Sequence, residues 1–117
     1  MMIRELTQHI RIVPVGGPVT DSFDVMADRP FVFSPESDVD DAGVFWRVDK
    51  DIVIDTPDAA ALRFFSAVRA SKVCLWDSGG RQYVLGWADV PVRVRISGGL
   101  QQSVLHISGE MTWNPFG

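Results

Sequence analysis

Val92, Val94 and Ile96 alternate with Arg93 and Arg95, so one face of this stretch is apolar and the other cationic. A period of two belongs to a strand with one side against a core. The pattern recurs through the last part of the chain, where Tyr83, Leu85 and Trp87 share a face and Leu105 and Ile107 lie opposite Val104 and His106. Four strands are predicted from Lys72 onward, at 72–77, 81–87, 92–97 and 103–108, with turn segments rich in Gly, Pro, Asp and Ser at 78–80, 88–91 and 98–102. Such a succession predicts an antiparallel meander, a scaffold or docking surface before anything else.

The first half carries the same signal in a less regular form. Residues 10–15 are a β-branched run that stops at Gly16-Gly17-Pro18, and 19–26 return as a second strand, the glycines supplying the positive φ of a hairpin turn. Phe31-Val32-Phe33, fenced by Pro30 and Pro35, suits a short edge strand. Residues 34–43 hold Glu36, Asp38, Asp40 and Asp41 and are predicted to be a surface loop. Strand resumes over 44–55, with Val44, Trp46 and Val48 alternating against Phe45, Arg47 and Asp49, and a bulge or tight turn is expected at Lys50-Asp51.

One helix interrupts the strands. Thr56 can cap it, Pro57 fits its first position, and Asp58 complements the positive end of its dipole. Leu62, Phe65 and Val68 fall three apart, with Ala61 and Phe64 on the same face, which predicts about three turns over 56–70 packed on a sheet. The expected fold is therefore a single α+β domain over 1–117: a mainly antiparallel sheet, folded as a sandwich or partial barrel, with one helix packed on it.

Composition narrows the chemistry. The 117 residues are 46% apolar, ordinary for a globular chain that can bury a core without staples. The net charge is −4 and only two lysines occur, a balance that argues against nucleic acid as the principal partner. Charge is divided unevenly: residues 1–60 hold 12 acidic and five basic side chains, whereas 61–117 hold three acidic and six basic ones. Halves of opposite sign are either ordinary solvated faces or a pair that favours head-to-tail self-association, in which one face meets the other face of a neighbour. Cys74 is the sole cysteine, and its place between Val73 and Leu75 marks a small buried hydrophobe. No run approaches the ~20 apolar residues of a membrane span, so a soluble protein without a membrane partner is expected.

Candidate catalytic groups are few. His106 alternates within a strand and is expected to be a satisfied side chain on its half-exposed face. Ser78-Gly79-Gly80 follows Asp77 as a hairpin loop does, and no Gly-x-Ser-x-Gly elbow or following helix accompanies it. Asp38, Asp40 and Gly43 occupy the first, third and sixth places of a calcium-loop pattern, but Ala42 stands at the fifth and strand-like sequence follows. A hydrolase built on Asp38, Asp40 and His106 is the third-ranked alternative. The chain is expected to be non-enzymatic, with no cofactor and no metal. Four tryptophans, Trp46, Trp76, Trp87 and Trp113, exceed what one small core hides, and tryptophan and arginine are the residue types that carry interface energy. Trp113, Phe116, Arg93, Arg95, Trp87, Asp38, Asp40 and Asp41 are the predicted partner-binding residues.

From Leu62 to Phe116 the chain resembles small phage-type virion and tail proteins. The residues that carry the resemblance are Leu62-Arg63-Phe64-Phe65, the hairpin from Val73 to Gly86 through Asp77-Ser78-Gly79-Gly80-Arg81, Pro91-Val92-Arg93-Val94, and His106-Ile107-Ser108-Gly109 before an apolar tail. The resemblance implies a structural protein that assembles into rings or tubes, touches other virion proteins, and is found in the cytoplasm during assembly and in the virion afterwards. The alternative is a small binding domain for nucleic acid or a ligand, using a face of Arg81, Trp87, Arg93 and Arg95.

Overall fold

The computed structural model describes residues 4–16, 22–33, 36–40, 43–87, 90–98 and 102–111, and for 4, 5, 33, 36–40 and 43–45 the backbone alone. The described elements are β1 (Arg4–Pro14), β2 (Phe23–Met26), β3 (Phe31–Phe33), β4 (Glu36–Asp40), β5 (Gly43–Asp55), α1 (Ala59–Phe64), β6 (Arg69–Asp77), β7 (Gln82–Leu85), β8 (Val92–Ser97) and β9 (Gln102–Met111). All described pairings are antiparallel, in the order β2-β1-β6-β8-β9-β5-β4, with β3 also on β1 and β7 also on β6. The α+β fold with one helix on an antiparallel sheet is the one expected.

The sheet curls back on itself. Ala27, just past β2, bridges to Ile54 of β5, and the Asp28 N–H donates to the Val53 carbonyl at 2.8 Å. First and sixth strands of the path thus meet, and of the two expected forms the partial barrel is the one adopted. Its interior is filled by the inward positions of every wall strand, among them Ile10, Ile12, Val25, Ile54, Val73, Leu75, Val94, Ile96, Leu105 and Ile107. Cys74 is buried, as expected. Among the described residues no helix is long and apolar enough to cross a membrane.

The helix is shorter than its periodicity predicts. Asp58, not Thr56, is the cap, its side chain accepting from the Ala61 N–H at 2.8 Å, and the helix ends at Phe64 after six residues. Arg69, Ala70 and Ser71 pair instead with Val94, Arg93 and Val92 of β8. A helix this short is marginal by itself, and cross-strand pairing takes its last predicted turn. Phe65 remains fully buried, edge-on to Phe23 and Phe64, and its carbonyl accepts from the Ile96 N–H at 2.9 Å. Val68, predicted on the packed face, is 58% exposed.

Three further expectations are corrected. The acidic segment 34–43 is not a loop throughout: β4 lies within it and pairs with β5, Asp38 opposite Phe45 and Asp40 opposite Gly43. No bulge occurs at Lys50-Asp51, because β5 keeps an unbroken register with β9 from Trp46↔Met111 to Asp55↔Gln102. The final strands are not a simple meander either. After the β6–β7 hairpin the chain turns at Gly86, with φ +83°, and β8 joins the earlier part of the same edge of β6. A Cβ at Gly86 would sit 2.8 Å from the Val92 nitrogen and 3.1 Å from the Ser71 carbonyl oxygen, so only glycine permits this corner.

Candidate functional site

The outer face of β8, β9 and β5 carries Arg93 and Arg95 of the predicted binding residues, together with His106. Alternation decides it. On β8 Val92, Val94 and Ile96 are buried while Arg93 and Arg95 are exposed, and on β5 Val48 and Ile52 are buried while Asp49 and Asp51 are exposed. Register then aligns these outward residues in rows across the strands. One row is Arg95–His106–Asp51, the next is Arg93–Ser108–Asp49, and Arg47 faces Glu110 beyond it. Cations therefore line β8 and carboxylates line β5, two strands or about 10 Å apart.

The middle of the first row is fixed by hydrogen bonds. His106 Nδ1 lies 2.7 Å from an Asp51 carboxylate oxygen, and His106 Nε2 lies 2.9 Å from the Ser97 hydroxyl. A carboxylate can only accept, so Nδ1 carries a proton; with the ring neutral, Ser97 donates to Nε2. His106 is thus the satisfied, half-exposed side chain expected of it. Serine, histidine and aspartate in this order are also the components of a nucleophilic relay. Here the Asp51 side chain is 66% exposed and Ser97 stands on a regular strand rather than a strained turn, and the two bonds tie the imidazole to β5 and β8. Asp38 and Asp40 are not part of it: β4 pairs with β5 at residues 43–47, away from the Asp51–His106 pair, which separates the groups of the hydrolase alternative.

Arg93 and Arg95 stand differently. Among the described residues neither forms an ion pair, whereas Arg11 is held by Asp24 and Arg47 approaches Glu110 at 3.9 Å. Asp49 on the same face also has no cationic partner among the described residues. Between them lies an open groove of about 440 Å³ lined by Arg47, Asp49, Pro91, Arg93, Ser108 and Glu110, floored where Gly109 and Ser108 present little bulk. A smaller groove of about 220 Å³ marks the gap in the barrel wall between Lys50–Val53 and the segment carrying Asp28, Arg29 and Phe31.

Trp87 is exposed at 55%, with the Lys72 ammonium 5.5 Å from its ring centre. Ala70 of β6 pairs with Arg93, which puts Lys72 two residues, about 7 Å, from that arginine's row. Arg81 lies at the opposite end of β7, over Tyr83, whose ring is buried and whose hydroxyl donates to Asp77 at 2.9 Å. The face proposed for nucleic acid therefore divides: Trp87, Arg93 and Arg95 share one region, and Arg81 does not join them. Asp38 and Asp40 lie on β4, and Trp113, Phe116 and Asp41 fall outside the described residues.

A second polar group occupies the outer face of β6, β1 and β2. His9 stacks on Trp76 at 4.6 Å with an interplanar angle of 7°, and Asp24 accepts from His9 Nε2 at 2.8 Å and from Arg11 Nε at 2.9 Å. Those donors, His9 first, hold the Asp24 carboxyl below its ordinary range. Arg11 and His9 of β1 both bond Asp24 of β2, so this cluster staples β1 to β2.

No family model matches the sequence, and comparison with curated proteins and with solved structures gives no match. Sequence reading found Arg93 and Arg95 but missed Asp49, Asp51 and Ser97 beside them. A period of two assigns a residue to a face; only the register between strands 55 residues apart in sequence assigns it a neighbour.

Proposed function

We propose that the chain is a structural, non-enzymatic module that assembles with copies of itself and, on the resemblance over residues 62–116, a phage tail or head–tail virion component that also touches other virion proteins. The observation that supports this reading is the pair Arg93 and Arg95: two arginines without an intramolecular carboxylate, on a sheet face that also carries Asp49 without a cation, all among the described residues. Arginine at such a position serves bidentate recognition of a carboxylate on another molecule. Trp87, exposed beside Lys72, adds an aromatic anchor at the margin of the same region.

Two features of the barrel fit assembly. Closure removes the edges of the wall strands but leaves β4 outside the closed path, where among the described residues only β5 pairs with it. That strand holds Glu36, Asp38 and Asp40, an acidic edge suited to a basic neighbour. Light scattering across a range of protein concentrations tests the reading. A mass that rises above the 13.0 kDa of one chain at high concentration and low salt is expected. A constant single-chain mass under those conditions overturns it.

A further inference from the structure

We infer that the outer face of β8, β9 and β5 is a two-fold interface with a second copy of this chain, its axis lying in the interface along β9. The inference rests on the self-assembly reading and names the surface and the symmetry that would carry it.

The rows supply the geometry. β9 is the central strand, with β8 on one side carrying Arg93 and Arg95 and β5 on the other carrying Asp49 and Asp51. A half-turn about an axis along β9 leaves heights along the strand unchanged and exchanges the two sides. It therefore brings the β5 of one copy over the β8 of the other. Because Arg93 and Asp49 share one row and Arg95 and Asp51 share the next, each arginine then faces the carboxylate of its own row in the mate, twice over. An isologous contact requires this kind of self-complementarity. A random scatter of the same charges would not be in register.

The shape of the face agrees. Two convex barrel walls touch first along their central strands, and here β9 presents Val104, His106 and Ser108 outward. His106 is pinned by Ser97 and Asp51, so little side-chain freedom is left to lose there. Away from that line the walls diverge, and arginine has the length to span the gap to a short aspartate. The row that holds Val104 ends in Val53, 43% exposed, which would lie over Ser97 of the mate. The groove beside Ser108 and Gly109 gives room for the guanidinium of Arg93 to turn toward the partner.

Charge reversal in a single row tests this without touching the His106 bonds. Arg93→Glu leaves two carboxylates facing across the contact, and Asp49→Arg leaves two guanidiniums facing. Each variant alone is expected to weaken the dimer at least about tenfold at low salt, and an equimolar mixture of the two is expected to recover dimer mass, since every reversed residue then meets its opposite. Circular dichroism melts confirm that both variants fold. Raising the salt to about 0.5 M is expected to weaken the wild-type dimer in the same direction. Oligomers that persist unchanged in both variants overturn this interface while leaving self-association standing. A wild type that stays monomeric at high concentration and low salt overturns both readings, and one that instead binds an oligonucleotide under those conditions assigns the arginines to a polyanion.

Discussion

Gly86 should be among the least replaceable residues of this chain, and a comparison with Gly80 separates the reasons. Both have positive φ, +83° and +85°, so Ala at either position bears a left-handed backbone cost of about 1–2 kcal/mol. At Gly80 nothing lies within 4 Å of the added Cβ, and the cost ends there. At Gly86 the Cβ meets the Val92 nitrogen at 2.8 Å and the Ser71 oxygen at 3.1 Å, backbone atoms of two strands that pair with each other. Overpacking of this kind adds about 1–3 kcal/mol. With an unfolding entropy near 2 cal/mol/K per residue, 1 kcal/mol corresponds to about 4 °C in a chain of this length. Gly80→Ala should therefore lower Tm by about 4–8 °C and Gly86→Ala by about 8–20 °C. Thermal melts followed by circular dichroism read both. Equal shifts for the two variants would refute the steric part of the argument. Gly86 also fixes where β8 begins, so its loss should disturb the row that contains Arg93.

Phe65→Ala should cost about 3–5 kcal/mol, seen as a lower urea midpoint, because the ring is fully buried between helix and barrel. Asp77→Ala removes the acceptor for the Gly79 and Arg81 N–H groups and the Tyr83 hydroxyl and should cost about 2 kcal/mol, against about 1 for Tyr83→Phe. Asp24 titrates below its ordinary value of 3.8 in the folded state, so its stabilising effect is present above that pH and is lost as pH falls through the lowered value. Urea midpoints measured between about pH 5 and pH 2 should therefore fall more steeply for the wild type than for Asp24→Asn.

Local patterning carried much of this fold. The alternation around Val92–Ser97 matches β8 residue for residue, β1 and β2 pair antiparallel with Gly16 at positive φ, and Phe31–Phe33 is the short strand expected of it, while residues 17–21 of the predicted hairpin lie outside the described residues. Failures came where a distant partner outweighed local preference. The helical period ran through Val68 because nothing nearby opposes it; β8 does, by pairing with Arg69, Ala70 and Ser71. Acidic residues lower strand propensity, yet 36–40 form a strand because β5 offers an edge with which they pair from Asp40↔Gly43 to Glu36↔Arg47. Lys50-Asp51 has the polar pair expected of a bulge or tight turn, and pairing with Ile107 and His106 keeps it straight. The candidate face divides in the same way. Its cations were visible as the polar half of an alternating strand, while the carboxylates that make it self-complementary lie on β5 and become neighbours only through β9.

Ser108 offers the most direct test of that face, since an axis along β9 places it opposite its own counterpart. In a Cys74→Ser background, Ser108→Cys should be joined into a covalent dimer by a short bismaleimide at low salt, because the two thiols face each other across the axis at about the 10 Å spacing of packed sheets. Ser78→Cys, exposed in the β6–β7 turn, serves as the control and should remain a single chain. Rapid, salt-sensitive cross-linking confined to the Ser108 variant is the result the two-fold contact predicts. Cross-linking no faster than the control would contradict it.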